Sequence, residues 1–379
     1  MKFLRILTVI ALAVCFILPI KAEETTEISS ELYQIDEFDT DSVLDALPDE
    51  VRARLPNGNP FAPEGFSAAF SAEYFFNLIK NALSAALSPA LKNLSMTLGL
   101  ILIASALSAL KGMLRSDSLV SLFEFISGLC IILTLYTTAI SLAETVHEYL
   151  QRLSAVVGAM VPVMIAISTA GGNIGTAAVS ANGMMLALAF VEILTSQVLF
   201  PILQLCFGLA VASGIGGTLK LGGISKLVRG VLVWVIALIS AIISAVMTFQ
   251  TSIAARADSL SMRAIKFAAS NTVPVVGGIA SDAVGAVASS LSLIKGTFGW
   301  VGVIIIAVMT LPVILNILLT RLGVSISETA ADVIGLDKEK SLLTEMCGLL
   351  GFLGAVCVIA ALMFVYALAL FAKSVPALV

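Results

Sequence analysis

The chain has 379 residues, 59% of them hydrophobic and 12% charged, with a mean hydropathy of +1.06 and a formal net charge of −4. So few polar side chains cannot cover a core of that size, which excludes an ordinary water-soluble globular protein. No basic cluster interleaved with aromatics is present, which argues against nucleic acid as a partner.

Residues 1–22 begin with Lys2 and Arg5, continue through the apolar run Ile6–Ile20 and end at Lys21-Ala22. That order reads as a secretory signal peptide cut near Ala22, the alternative being an uncleaved first anchor. Residues 23–80 form an acidic arm. Up to residue 79 it carries 13 of the 25 acidic residues against only Arg52 and Arg54. Positive charge is retained in the cytoplasm, so an acidic segment after a signal peptide is expected outside it. Pro56, Gly58, Pro60 and Pro63 make 55–63 turn-rich. Ile35, Phe38, Val43, Leu44 and Leu47 provide for one small amphipathic helix or docking face on an otherwise solvated arm.

Beyond the arm lie seven stretches without a charge: 93–110, 125–143, 153–191, 193–219, 230–255, 296–320 and 346–372. About 20 apolar residues cross a bilayer as helix. The sequence therefore predicts an all-α fold, a polytopic transmembrane helical bundle whose first partner is lipid. Residues 81–144 are assigned two transmembrane helices.

Two short patterns recur. Val161-Pro162-Val163 returns as Val273-Pro274-Val275, and Phe200-Pro201-Ile202-Leu203 as Leu311-Pro312-Val313-Ile314. Glycines sit between them: Gly171-Gly172 in the first set, Gly277-Gly278 in the second. The spacing points to an internal repeat of about 110 residues, 145–255 and 256–379, the latter including a C-terminal helix. A proline removes a helix hydrogen bond, and matched breaks in two halves of a membrane protein point to a pathway or hinge. The short segments 156–170 and 267–281 each read as half of a re-entrant hairpin or as a short tilted span.

Counting spans puts Lys111 and Arg115 inside, and Glu144, His147, Glu148 and Arg152 outside on an interfacial helix. Lys220, Lys226 and Arg229 then mark a cytoplasmic loop. Arg256, Arg263 and Lys266 fall outside and the loop holding Glu328, Asp332, Asp337, Glu339 and Glu345 inside, both against the charge rule. Either one short segment departs from the count or the charge rule fails locally. Glu192, between two apolar runs, is the leading carboxylate at membrane depth and Glu124 the second. Asn173, Asn182, Gln204, Gln250 and Asn316 are expected to bond across helices, and Gly348, Gly351 and Gly354 to let helices approach. No convincing buried charge pair is visible. Cys130, Cys206, Cys347 and Cys357 lie in apolar runs and His147 is the single histidine, so no metal site, cofactor site or catalytic group is predicted. Without a phosphate-binding loop, any energised process needs a partner.

Three stretches carry a likeness: Leu260 to Asp282, with Arg263, Lys266, Pro274 and Gly277-Gly278; Ser292-Leu293-Ile294-Lys295-Gly296; and Gly299-Trp300-Val301-Gly302. With Met160-Val161-Pro162 leading to Gly171-Gly172, the chain resembles the stage III sporulation protein AE family. The resemblance implies a role in endospore formation, in the mother-cell membrane around the engulfed forespore. It implies a secretion-like channel assembly with other products of the same sporulation operon, including a cytosolic ATPase and ring-forming proteins. That assembly meets a forespore membrane protein and supports late forespore gene expression. The family brings no catalytic or ligand residues. Two readings follow: a scaffold or export-gate subunit of a channel, or a self-sufficient secondary transporter for a small solute or ion.

Overall fold

A computed structural model describes residues 40–55, 60–61, 72–110, 117–215, 222–272 and 277–373. The signal-peptide expectation, Pro274 and Lys220 lie outside the described residues, as do the side chains of Glu124 and Lys266. Two short helices, α1 (Asp41–Asp45) and α2 (Asp49–Arg52), precede six long rods. These rods are α3 (Ala72–Leu110), α4 (Asp117–Ala170), α5 (Ile174–Ile193) continued through the π turn Leu194–Val198 into α6 (Leu199–Ile215), α7 (Gly222–Thr272), α8 (Gly277–Ile334) and α9 (Asp337–Lys373). Among the described residues there is no strand.

Each rod contains a segment long and apolar enough to cross a membrane: Glu73–Ala106, Phe125–Ala170, Ile174–Ala212, Gly223–Ser261, Ile294–Ile334 and Asp337–Lys373. Six spans replace seven uncharged runs for a physical reason. The charges between residues 144 and 152 follow helical spacing and leave α4 unbroken for 54 residues. The long run 153–191 is instead divided by a turn, where Asn173 N–H donates to Ser168 O (2.9 Å) and Gly172 takes φ 75°, a conformation that favours glycine. Glu192 does not interrupt its rod either.

Segment 156–170 is thus the last four turns of α4, and 267–281 is divided between the end of α7 and the start of α8. Neither is a separate short span. Pro162 sits on an exposed face of α4, and the helix continues through it to Ala170.

Side-chain neighbours set the directions. A Cβ on Gly299 would come within 2.6 Å of Ala372, and one on Gly351 within 3.4 Å of Arg321, so α8 and α9 are antiparallel. Arg229 of α7 meets Glu345 of α9, and Thr248 meets Tyr366 at 2.5 Å, so α7 and α9 are parallel. Gly175 lies against Asp258 and Gly183 against Met247, which makes α5 antiparallel to α7. Gly302 lies against Met160 and Thr310 against Tyr149, which makes α4 antiparallel to α8; Gly323 lies against Leu94 while Ala86 and Pro89 share a cavity wall with Met309 and Pro312, which makes α3 parallel to α8. The start of α7 and the Gly335 turn therefore lie at one end, and the later part of α7 and the Gly171–Asn173 turn at the other. Among the described residues no additional short segment intervenes between the rods.

The core runs the full height, through Leu150, Leu153, Met160, Val301, Ile305, Leu353 and Phe364. On α7 the outer residues Val231, Trp234, Leu238, Ile242, Val246 and Phe249 recur every three or four positions, a stripe suited to lipid. At 1.5 Å per residue the 58-residue α8 is about 87 Å long, against a hydrocarbon thickness of about 30 Å.

A buried charge pair also appears. Arg229 Nη2 and Glu345 Oε2 stand 2.8 Å apart with both side chains 9% exposed. Arg229 Nη1 donates to Ser225 Oγ at 2.6 Å. A Cβ on Gly348 would collide with the guanidinium, so this glycine provides the space for it. The expected loop cation is therefore an internal fastener between α7 and α9. At Gly351 and Gly354 a Cβ would meet Arg321 and Ile317 of α8 only at ordinary contact distance, 3.4 and 3.6 Å.

Candidate functional site

The uncharged runs of α7, α8 and α9 centre near residues 242, 308 and 359, which defines the half-height of the bundle. Residues 144–152 of α4 stand at this level, because Tyr149 bonds Thr310 there. Glu144, Glu148 and Arg152 lie on one outer stripe, since residues four apart share a helix face. Glu148 and Arg152 pair at 3.5 Å while 63% and 53% exposed. The expectation of an extramembrane interfacial helix is thus replaced by a charged patch in mid-rod.

Beside this patch is a cavity of about 370 Å³. α4 contributes Thr145, Glu148, Tyr149 and Arg152; α8 contributes Met309, Pro312, Val313 and Asn316; α3 contributes Ala82, Ala85, Ala86 and Pro89. Two sequence features make the space. Three alanines leave α3 thin at this point. Pro89 has no N–H, so the Ala85 carbonyl loses its donor, and Pro312 does the same to Val308. In hydrocarbon such freed carbonyls must be met by neighbours or water.

The fourth wall is the acidic arm, through Pro48, Glu50, Val51 and Arg54. Val43, Leu47, Val51 and Leu55, each four residues apart, are all buried, and Phe61 is fully buried. Phe61 stacks on Phe298 of α8 with centroids 5.0 Å apart, and Phe298 meets Phe371 edge-on at 6.3 Å. Lys295 Nζ lies 4.9 Å from the Phe371 centroid. Tyr74 Oη donates to Arg54 O at 2.9 Å, tying the arm to α3. Arg52 and Asp45 pair at 3.5 Å, linking α2 to α1. The docking face, rather than a solvated arm, describes residues 40–55.

Of the pathway residues named from sequence, Pro312 lines the cavity. Pro162 and Pro201 are exposed on α4 and α6, Gly171 and Gly172 form the turn, and Gly277 and Gly278 open α8. Glu192 is exposed at the end of α5, just before the π turn, and is not in the cavity wall. Pro89 and Tyr149 are wall residues that the sequence did not single out, and Glu148 and Arg152 were expected outside on an interfacial helix. Pro89 stood just outside the paired-proline pattern, and its position within a run of alanines and leucines was the available signal. Among the described residues no group of three His, Cys, Asp or Glu side chains has metal-site geometry.

Six apolar rods, three of them lining a charged half-height cavity, define a multi-pass helical membrane protein. The sequence pattern of the family described as stage III sporulation protein AE matches residues 65–374, and the chain belongs to that family. The stage III sporulation protein AE of Bacillus subtilis (strain 168) is 26% identical over 168 residues, 44% of this chain and 42% of that relative. The chain thus spans less than half the length of the curated relative it matches. No solved structure matches it.

Proposed function

We propose that this sporulation membrane protein is a multi-pass subunit of a secretion-like channel assembly between mother cell and forespore, acting as scaffold or export gate and needed for late forespore gene expression. The charged half-height face carries this reading. Ionisable groups at membrane depth face protein or water rather than lipid, and Glu144, Glu148 and Arg152 stand exposed at the level where α7, α8 and α9 carry no charge. A subunit that completes its polar surface with neighbours in an assembly has a use for such a face. Its partners are then other products of the sporulation operon, including a cytosolic ATPase and ring-forming subunits, with an indirect link to a forespore membrane protein. The location is the mother-cell membrane around the forespore, with the arm extracytoplasmic and the Gly335 end, with Lys226, toward the mother-cell cytosol.

Affinity purification of the tagged chain from sporulating cells tests the reading. Co-elution of the ATPase and ring-forming proteins is expected. Elution alone, while those proteins are abundant in the same membranes, removes it. The cavity between Pro89 and Pro312 favours the second reading, a self-sufficient secondary transporter. Solute uptake by liposomes containing only this chain would establish that instead.

A further inference from the structure

We propose that the polar side of the bundle, bounded by α3 and α4, is where two copies of this chain pair about a two-fold axis parallel to the rods, the α3 edge of each against the α4 edge of the other. The pairing rests on the channel-subunit reading, in which neighbours complete this face, and makes the first neighbour a second copy.

In its first half α3 is buried along a narrow stripe, Leu78, Ala82, Ala86 and Ala90. Its exposed surface there has two characters. Phe76, Ile79, Leu83, Leu87 and Leu91 form one stripe, suited to lipid. Asn77, Asn81, Ser84, Ser88, Lys92 and Ser95, all exposed and three or four positions apart, form the other. At 1.5 Å per residue this polar stripe is about 27 Å tall, close to the hydrocarbon thickness of about 30 Å. It stands beside the uncharged run of α8, because Pro89 shares a cavity wall with Pro312 and Leu94 meets Gly323. It also borders the cavity, since Ala85 of the wall is four residues from Asn81 and three from Ser88. On the opposite bank Glu148 and Arg152 of α4 line the cavity, and Glu144 extends their stripe. The arm packs on α4 and α8 between these banks. A side this polar at the depth of an apolar layer faces protein or water rather than lipid.

Charge and height select the occupant. The α3 edge carries Lys80 and Lys92 with Glu73, a net positive charge, and the α4 edge carries Glu144 and Glu148 with Arg152, a net negative one. Copies of a membrane protein cross the bilayer in the same sense, so a two-fold axis between them runs along the rods and leaves every residue at its own height. Rotation about that axis sets the positive edge of each copy against the negative edge of the other, twice over. The heights agree as well. α3 runs antiparallel to α4, and its residues 82–89 share the cavity with 145–152 of α4. Lys92 and Glu144 lie just past the same end of that cavity. Pairing therefore brings Lys92 of each copy to the Glu144 level of the other. Among the described residues neither side chain is in an ion pair within its own chain. The exchange is reciprocal, as an isologous interface requires.

The test uses the full-length chain in membranes of sporulating cells, with native cysteines replaced by alanine. Two differently tagged chains are co-expressed, one with Lys92→Cys and the other with Glu144→Cys, and oxidised with copper phenanthroline. The second Lys92–Glu144 pair of such a dimer stays intact. A covalent dimer carrying both tags is expected, and none when both chains carry Leu238→Cys on the lipid stripe of α7. Oxidation of a chain with both Lys92→Cys and Glu144→Cys should give nothing above the dimer. Charge reversal gives a second readout without cysteines. Lys92→Glu should lower recovery of untagged copies by tagged ones about tenfold or more, and adding Glu144→Lys to the same chain should restore it. A mixed dimer no more abundant than that from Leu238→Cys overturns the inference, as does crosslinking of Lys92→Cys to a different protein in place of a second copy. A ladder above the dimer means a head-to-tail ring and overturns the two-fold arrangement. Failure of the charge swap to restore recovery overturns the pairing of the two edges. Capture of the ATPase and ring-forming proteins is scored in the same membranes. Capture without a covalent dimer removes this inference alone, whereas a dimer without capture supports it and removes the channel-subunit reading.

Discussion

The Tyr149 hydroxyl donates to Thr310 Oγ1 across 2.7 Å at the half-height of the bundle, because the Thr310 proton is already given to Ile306 O at 2.6 Å. This bond joins α4 to α8 beside the cavity, two residues before Pro312. Tyr149→Phe removes the donor without stranding Thr310, which still has Ile306. The expected loss is about 1 kcal/mol, read as a small fall in the detergent-solubilised unfolding midpoint with membrane insertion unchanged.

Arg229 and Glu345 behave differently because each leaves the other buried. Either alanine substitution should cost about 3 kcal/mol or more. The double change Arg229→Met with Glu345→Leu should recover most of it, as buried pairs often exchange for apolar residues of similar volume. Gly348→Ala should mimic the single losses, since its methyl group would enter the guanidinium site. Unfolding midpoints of the four variants decide this; equal damage in single and double substitutions contradicts the pairing.

Asp258 caps a helix that is not its own. Its carboxylate accepts from Gly175 N at 3.0 Å and Thr176 N at 2.7 Å, whereas Asn173 makes no side-chain cap bond to α5. Asp258→Ala should cost about 1 to 2 kcal/mol, and faster amide exchange should be confined to the first turn of α5. Gly175→Ala should reproduce it, because the added Cβ would come within 2.9 Å of Asp258 Oδ1.

Loss of the Phe61 ring from a fully buried stack should weaken arm docking by about 3 kcal/mol. Trypsin cleavage after Arg52 and Arg54 should then accelerate strongly in Phe61→Ala membranes while α3 to α9 remain intact. Unchanged cleavage would mean that the ring does not hold the arm.

Much of the architecture was legible because lipid imposes a simple rule: long uncharged runs become rods. The rule misled in two places. In α4 the charges Glu144, Glu148 and Arg152 read as the end of a span, yet their spacing of four is a helix pattern and a rod longer than the bilayer need not break. In 153–191 the glycines at 171–172 were read as a break, but as the end of a short segment 156–170 rather than of a 54-residue rod. The site was less legible. Arg229 and Glu345 are 116 positions apart, and no local pattern pairs them. Pro312 was found through its resemblance to Pro201, but its partner across the cavity is Pro89, which belongs to no repeat. The arm showed Val43 and Leu47 as apolar; Val51, Leu55 and Phe61 complete the docked row only once α8 supplies Phe298.

Six rods crossing in turn make one arrangement of sides. Reporter fusions between Ile215 and Gly222, between Thr272 and Gly277, and between Ile334 and Asp337 test it directly. The first and third should report the same side of the membrane and the second the opposite side. First and third fusions on opposite sides would contradict the bundle described above.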